Sequence, residues 1–459
     1  MAATAVILLF TAFLGAGLYG ARRAQPGTEQ FLLGGRGVPL WMGIVAMTAA
    51  WVDGGYLLGT AEGVFKHSVA SGLQGGVLYG MSLVLGGLFF ASRMRRAGYT
   101  TLVDPFAARY GNQWAAVLMV PALVAELLWC AELLAALGAT FGVLGGISHN
   151  TAIVTAAMLV TFYTALGGLW SVAYADVVQM AVMVIGVTLV ASMIAPALAA
   201  RPYSPPVTDW PAAESLRFAD VSVMLLFGGI PWNCYFQRVL SCRSERDART
   251  MSVTAGLLVS LFTLPPLLIG MAATNMNWPD EVLARLRQWP SEVFPAVLRY
   301  AVPGWVGFLG LAAIVGAVTS SYSSSLLSAS TLFAWNLWRP WRGEATRASI
   351  RSGIALIALL ATLLALKAQS VQALWLFTSD LVFVVLFPQL LFALYDPRTT
   401  RTASITAFVV SLVLRLGAGE SLVELPALIP FPEWFPHRTF AAVAGLVILP
   451  LVSRWRRPL

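Results

Sequence analysis

The sequence predicts an all-α polytopic membrane protein with about thirteen transmembrane helices. Three observations carry that expectation. Hydrophobic residues make up 58% of the 459 and charged residues only 11%, against about 45–50% and about 25% in soluble chains. The apolar residues fall in continuous runs of about 20, the length that spans a bilayer as a helix. The ten-residue alternation of a membrane β-barrel is absent. Mean hydropathy is +0.76. A chain with so few charges does not cover a water-facing surface of this size, so soluble enzymes, nucleic-acid-binding domains and disordered tails are excluded and the lipid bilayer is the expected surrounding.

Taken in order, the spans are about 4–20, 38–60, 71–92, 114–143, 150–168, 173–198, 221–240, 251–273, 296–333, 348–366, 371–395, 402–418 and 437–453. The first lacks a basic flank ahead of it, and Arg22 and Arg23 follow it, so it reads as a spanning helix and not a cleaved signal. Thirteen spans put the termini on opposite sides. With the N-terminus outside, the inner connections hold 20 of the 29 Lys and Arg, among them Arg93, Arg95, Arg96, Arg238, Arg243, Arg339, Arg342, Arg454, Arg456 and Arg457. That bias places the C-terminus in the cytoplasm, with the chain in the plasma (inner) membrane. It also accounts for the net charge of +8 without an acidic partner. The longest outer loops are about 199–220 and 274–295. Cys130, Cys234 and Cys242 have no metal-ligand spacing and form no disulfide framework. The whole chain, 1–459, is expected to be one membrane domain.

Several spans depart from a continuous apolar helix. Span two reads TAAWVDGGY over Thr48–Tyr56, with Asp53 and two glycines in mid-span. Span seven contains GGIPW, Gly228 to Trp232. Pro removes a donor and Gly loosens the helix, so both are expected to break. Two interrupted spans five apart match an inverted-repeat secondary transporter, whose half-helix ends bind ions and substrate near the midplane. Packing kinks are the plainer alternative. Span nine carries Ser320, Ser321, Ser323, Ser324, Ser325 and Ser328. Small residues let helices approach closely, but six hydroxyls exceed that need. Ser320, Ser323 and Ser324 share one helix face, a donor set suited to Na⁺, with Asp176 as a source of charge. Trp51 and Trp232 sit at the two breaks, and Tyr79 and Trp129 lie in mid-span. A cage of such rings attracts a cation with no hydrogen to donate, above all a quaternary ammonium.

At these residues the chain resembles the sodium:solute symporter family, most closely its choline-transporter branch. The stretches that carry the resemblance are TAAWVDGGYLLGTAE from Thr48, GYTTLVDPF from Gly98, GGLWSVAYADVVQ from Gly167, GGIPWNCYFQRVLS from Gly228, the serine-rich Ala317–Ser330 and SDLVFVVLFPQLL from Ser379. They run from the second span to the eleventh. The resemblance implies a five-plus-five inverted-repeat core over about 38–395, one extra N-terminal helix at 4–20 and two peripheral helices over about 402–453. It implies Na⁺-driven alternating access and import of choline or a similar organic cation. The common Na⁺ site maps to the carbonyls of Ala49, Val52 and Ala317 with the hydroxyls of Ser320 and Ser321. A second Na⁺ site of some members maps to Asp176, Ser320, Ser323 and Ser324. The aromatic pocket maps to Trp51, Tyr79, Trp129 and Trp232, with Trp375 as a lid or wall.

The chain also departs from that branch. Asp53 stands where the branch has Gly, Glu132 where it has a small apolar residue, and Ser323 where it has Asp. Carboxylates inside membranes are costly and usually functional, so Asp53 is placed with the substrate-binding residues. The residues leave open a related substrate, such as another amine, a betaine or an amino acid, and coupling to H⁺ through Asp53. Glu126, three residues before Trp129, is expected to orient the pocket. Asp104 and Asp380 read as caps at helix N-termini, and Asp220 as part of the outer entrance. A membrane enzyme is disfavoured, since no Ser–His pair, His/Asp cluster or phosphate loop is present.

Overall fold

The computed structural model describes residues 2–144, 147–201, 203–206, 211–368, 371–420, 422 and 424–455. Among them there is no strand, only two isolated bridges, one joining Val38 to Cys242. Each predicted span lies on a helix or a pair of helices. Nine described helices are long and apolar enough to cross a membrane, or ten if the pair Leu40–Trp51 and Gly54–Lys66, bent by 53°, is one span. The segments Ala2–Arg23, Ala212–Gly228 with Asn233–Ser241, and Arg401–Gly417 are also helical. The last has 17 residues, about 25 Å of helix at 1.5 Å per residue. Arg456 and Arg457, two of the cations counted for orientation, lie outside the described residues.

Helix Gly304–Leu332 forms the axis of the molecule, and every residue from Gly310 to Leu332 is buried. It packs against Leu169–Ala200, Asn112–Leu144 and Leu40–Trp51. The outward faces of the surrounding helices expose Phe162, Ile185, Leu257, Leu359 and Val413. In water such a belt would be an aggregation surface; against lipid tails it is the matching solvent. Helix Leu169–Ala200 starts at Gly168, whose φ of 57° and ψ of −135° suit a residue without a side chain.

Both expected breaks are present. Helix Leu40–Trp51 stops at Val52, whose φ/ψ of −88°/75° leaves the helical region. The chain resumes at Gly54–Lys66. Gly54 is required by close approach: a Cβ there would lie 2.6 Å from Val318 Cγ2 on the axial helix. The second break runs from Gly229 to Trp232, between Ala212–Gly228 and Asn233–Ser241. Three other helices contain a π-helical turn, at Gly86–Ala91, Phe333–Trp338 and Val382–Leu386.

Three sequence expectations are corrected here. Asp380 is no N-cap: it lies near the end of helix Val371–Leu381, fully buried, and pairs with Arg415 at 2.7 Å and Arg438 at 2.9 Å. Two guanidiniums supply the charge that such burial demands. Asp220 lies within helix Ala212–Gly228, buried, and accepts from the Thr439 backbone N–H at 2.8 Å. It is occupied in holding the C-terminal helix and does not line the cavity described below. Arg238 is not a loop cation. It sits in helix Asn233–Ser241, 2% exposed, with its guanidinium against Asp176 at 3.2 Å.

Candidate functional site

The two breaks meet at one end of a cavity of about 1010 Å³. Its inner wall is aromatic. Trp129 lies 6.2 Å from Trp51 and 5.1 Å from Trp232, ring centre to ring centre, both edge to face. Trp51 also meets Tyr235 at 6.0 Å. Tyr79 and Trp375, on the same cavity, form a second edge-to-face pair at 5.8 Å. The Tyr79 hydroxyl is 2.5 Å from that of Ser379. Trp51, Tyr79, Trp129, Trp232 and Trp375 all line the same space, which extends past Gly59 and Gly63 to His67, His149, Glu214 and Trp289.

Helix ends hold these rings in place. Trp51 is the last residue of its helix and Trp232 precedes the first residue of its own. The Trp232 indole N–H donates to the Gly228 carbonyl at 2.8 Å, which closes the break upon itself. The Trp129 indole N–H donates to Asp53 Oδ2 at 3.0 Å. Asp53 Oδ1 accepts from the Tyr56 backbone N–H at 2.6 Å. Asp53 is thus the N-cap of Gly54–Lys66, where the helix dipole favours an anion, and it fixes Trp129 from the other side. Glu132 also lines the cavity, and it is fully buried with neither carboxyl oxygen bonded.

The expected Na⁺ ligands converge at the other side of the first break. Ser320 donates to the Ala49 and Ala317 carbonyls, each at 2.9 Å. Ser321 donates to Ala317 at 3.1 Å and to Ala50 at 2.9 Å. Ala49, Ala317, Ser320 and Ser321 are therefore one cluster of oxygens. Ser321 adds the Ala50 carbonyl, which the sequence reading did not include. The Val52 residue is buried at the same break.

Two members of the second expected ion set meet a buried guanidinium. Arg238 donates to Asp176 Oδ2 at 3.2 Å and to the Ser324 hydroxyl, and its Nε donates to the Ala46 carbonyl at 3.2 Å. Ser323 and Ser324 donate to the Ser320 carbonyl at 2.9 and 2.7 Å. A guanidinium therefore takes up Asp176 Oδ2 and Ser324, two of the four residues expected at a second ion, while Asp176 Oδ1 is buried without a partner. The available signal was Arg238 itself, a cation inside a helical stretch of the seventh span. Glu126 does not itself line the pocket; it accepts from Ser325 and Ser328, each at 2.6 Å, and from the Cys234 backbone N–H at 3.0 Å, two residues after Trp232. Sequence reasoning also missed Asn233, which accepts from Leu102 N at 2.9 Å and donates to Ser328 at 2.9 Å. A polar residue directly after the GGIPW break was the available sign.

Comparison with known proteins agrees with this architecture. The family model of the sodium:solute symporter family matches residues 31–411. The high-affinity choline transporter 1 of Caenorhabditis elegans is 37% identical, over 98% of this chain and 84% of that protein. The Homo sapiens high affinity choline transporter 1 is 35% identical, over 94% and 79%. Among solved structures, a Na⁺-coupled sialic acid symporter superposes with a TM-score of 0.77 at 17% identity, covering 100% of this chain and 98% of that one. A nucleobase-cation-symport-1 family transporter, Mhp1, matches at a TM-score of 0.61. With a family model spanning most of its length and relatives above 30% identity, this chain is a membrane transporter and belongs to the sodium:solute symporter family.

Proposed function

We propose that this protein imports choline or a closely similar organic cation, driven by Na⁺ and operating by alternating access. The observation that carries the reading is the convergence of Trp51, Trp129 and Trp232 at both helix breaks, a few residues from the oxygen cluster of Ala49, Ala317, Ser320 and Ser321. The names of the 34–37% identical relatives support the same substrate. Indole faces attract a quaternary ammonium through their quadrupoles without needing a hydrogen from it. Tyr79 and Trp375 form the outer wall, and Asp53 anchors Trp129 while adding a negative charge beside the cage.

Na⁺ binds, in this reading, where the serine hydroxyls now donate to carbonyls. Rotating the two hydroxyls turns their lone pairs toward the same space as the carbonyls, and a hard cation then finds oxygens from both helices. Because one of those helices ends at Trp51, ion binding fixes the ring that faces the substrate. That shared element is the physical basis of coupling. A second Na⁺ at Asp176, Ser320, Ser323 and Ser324 shares Asp176 and Ser324 with Arg238 and has the unpartnered Asp176 Oδ1 to draw on.

The core is read as a five-plus-five repeat over about 38–395, with thirteen spans in all, inside one domain. By the positive-inside bias the N-terminus is outside and the C-terminus cytoplasmic, in the plasma (inner) membrane. The cavity mouth at His67, His149 and Trp289 then faces outward. The test is uptake of radiolabelled choline into proteoliposomes with and without an inward Na⁺ gradient. Uptake that does not respond to the gradient overturns the coupling, and unchanged uptake by Trp232→Ala overturns the cage.

A further inference from the structure

Glu132 stands apart from the other buried acids of the interior. Glu126, Asp53, Asp176 and Asp380 each accept from at least one donor. Glu132 is fully buried, and neither of its carboxyl oxygens has a partner. It nevertheless lines the cavity with Trp129 one turn before it. A point 2.9 Å from Glu132 Oε1, where a Cβ on Gly55 would lie, is 3.4 Å from Asp53 Oδ1. The two carboxyl groups therefore lie within about 6.3 Å of each other. Asp53 has both oxygens engaged, by the Tyr56 N–H and the Trp129 indole N–H. Of the two, only Glu132 has oxygens that no donor reaches, and burying them without a partner costs free energy that no neighbour returns.

We propose that Glu132 is a specificity residue: it extends the pocket's substrate class to protonated amines that carry an N–H, by accepting that hydrogen beside the aromatic cage. The proposal rests on the organic-cation reading above and deepens it. Ring faces attract a methylated and an N–H-bearing ammonium alike, so the cage does not tell them apart. A carboxylate with unused lone pairs does, because a charge-assisted N–H···O bond is available to one and not to the other. A quaternary head group next to Glu132 gains attraction but leaves its oxygens without a donor.

The experiment compares choline with N,N-dimethylethanolamine, which keeps the hydroxyl and replaces one methyl by hydrogen. Both are cations at pH 7. Equilibrium binding of each to the purified full-length protein in Na⁺ gives a ratio of affinities that cancels the contribution of the hydroxyl. The wild-type protein is expected to bind the N–H analogue at least as tightly as choline. Glu132→Ala is expected to shift the ratio toward choline by about tenfold or more. Glu132→Gln, which keeps a neutral acceptor, should fall between the two. Because the oxygens removed have no protein partner, Glu132→Ala should melt at or above the wild-type temperature, so a changed ratio is not a sign of misfolding. If choline binds and the ratio is the same in Glu132→Ala as in wild type, the inference fails while the organic-cation reading stands. If neither amine binds the wild-type protein, both fail.

Discussion

The two helix breaks have the same role and are built differently. The first is closed by its own sequence: Asp53 caps the helix that follows it through Tyr56 N, three residues on. The second has no side-chain cap at Trp232. Its first free donor that finds a carboxylate, Cys234 N, is satisfied by Glu126 from a helix 108 residues earlier in the chain. Asn233 is held by Leu102 and Ser328. One break is therefore capped by its own sequence, and the other is capped only when neighbouring helices have docked. A half-helix with a self-contained cap keeps its end when its neighbours shift, whereas one capped from outside is tied to the helices that cap it.

Arg238 joins the two breaks, since it lies after the second and donates to Ala46 before the first. Its replacement is the most disruptive test. Arg238→Met should cost about 3–5 kcal/mol, the penalty for leaving a buried Asp176 without its counter-ion, read as a fall in thermal stability in detergent. Adding Asp176→Asn should recover most of that loss; failure to recover would show that the pair is not what Arg238 stabilises. Next in size is Glu126→Leu, expected to cost about 3 kcal/mol because the Cys234 N–H and two serine hydroxyls lose their acceptor. Hydrogen exchange should then rise in Asn233–Ser241 and not in Gly54–Lys66. Equal rises in both would erase the distinction between local and tertiary capping.

Smaller effects address the site itself. Trp51→Ala and Trp232→Ala should each weaken choline binding about 10- to 30-fold, corresponding to about 1.4–2 kcal/mol for a desolvated cation–π contact. A loss from only one of the two would show that the cage is built on one break. Ser320→Ala should raise the Na⁺ concentration for half-maximal uptake about fivefold to tenfold with little change in stability, since one ligand among several is lost. Asp53→Ala should cost about 1 kcal/mol, the usual value of an N-cap, and Asp53→Ser should restore it. A larger loss, unrescued by Ser, would mean that the Trp129 bond outweighs the cap.

Much of the fold is legible in the sequence for a simple reason. In a bilayer the backbone has no water to bond, so apolar runs of sufficient length become helices, and nine described helices, or ten with the bent pair, are long and apolar enough to cross. The broken spans are legible as well, because Gly54, Gly55 and Pro231 disfavour a continuous helix whatever surrounds them. Trp51 and Trp232, which both meet Trp129, are placed in one pocket by the paired breaks and by the family resemblance. Asp380 and Glu126 show the limit. Both read as local features, a cap and a pocket neighbour, yet their partners are Arg415, Arg438, Ser325, Ser328 and Cys234, on other helices.

By itself the sequence determined the class of molecule, the helices, their breaks and the residue types able to hold a cation, because hydropathy and backbone conformation are properties of short stretches. Only the tertiary structure decided which charge faces which. Asp176 is met by Arg238, Asp53 is spent on Tyr56 and Trp129, and Glu132 is left with nothing. Buried charges act over a few ångströms in a medium of low polarity, so their roles depend on the one neighbour that packing brings within reach, and spacing along the chain does not encode that neighbour.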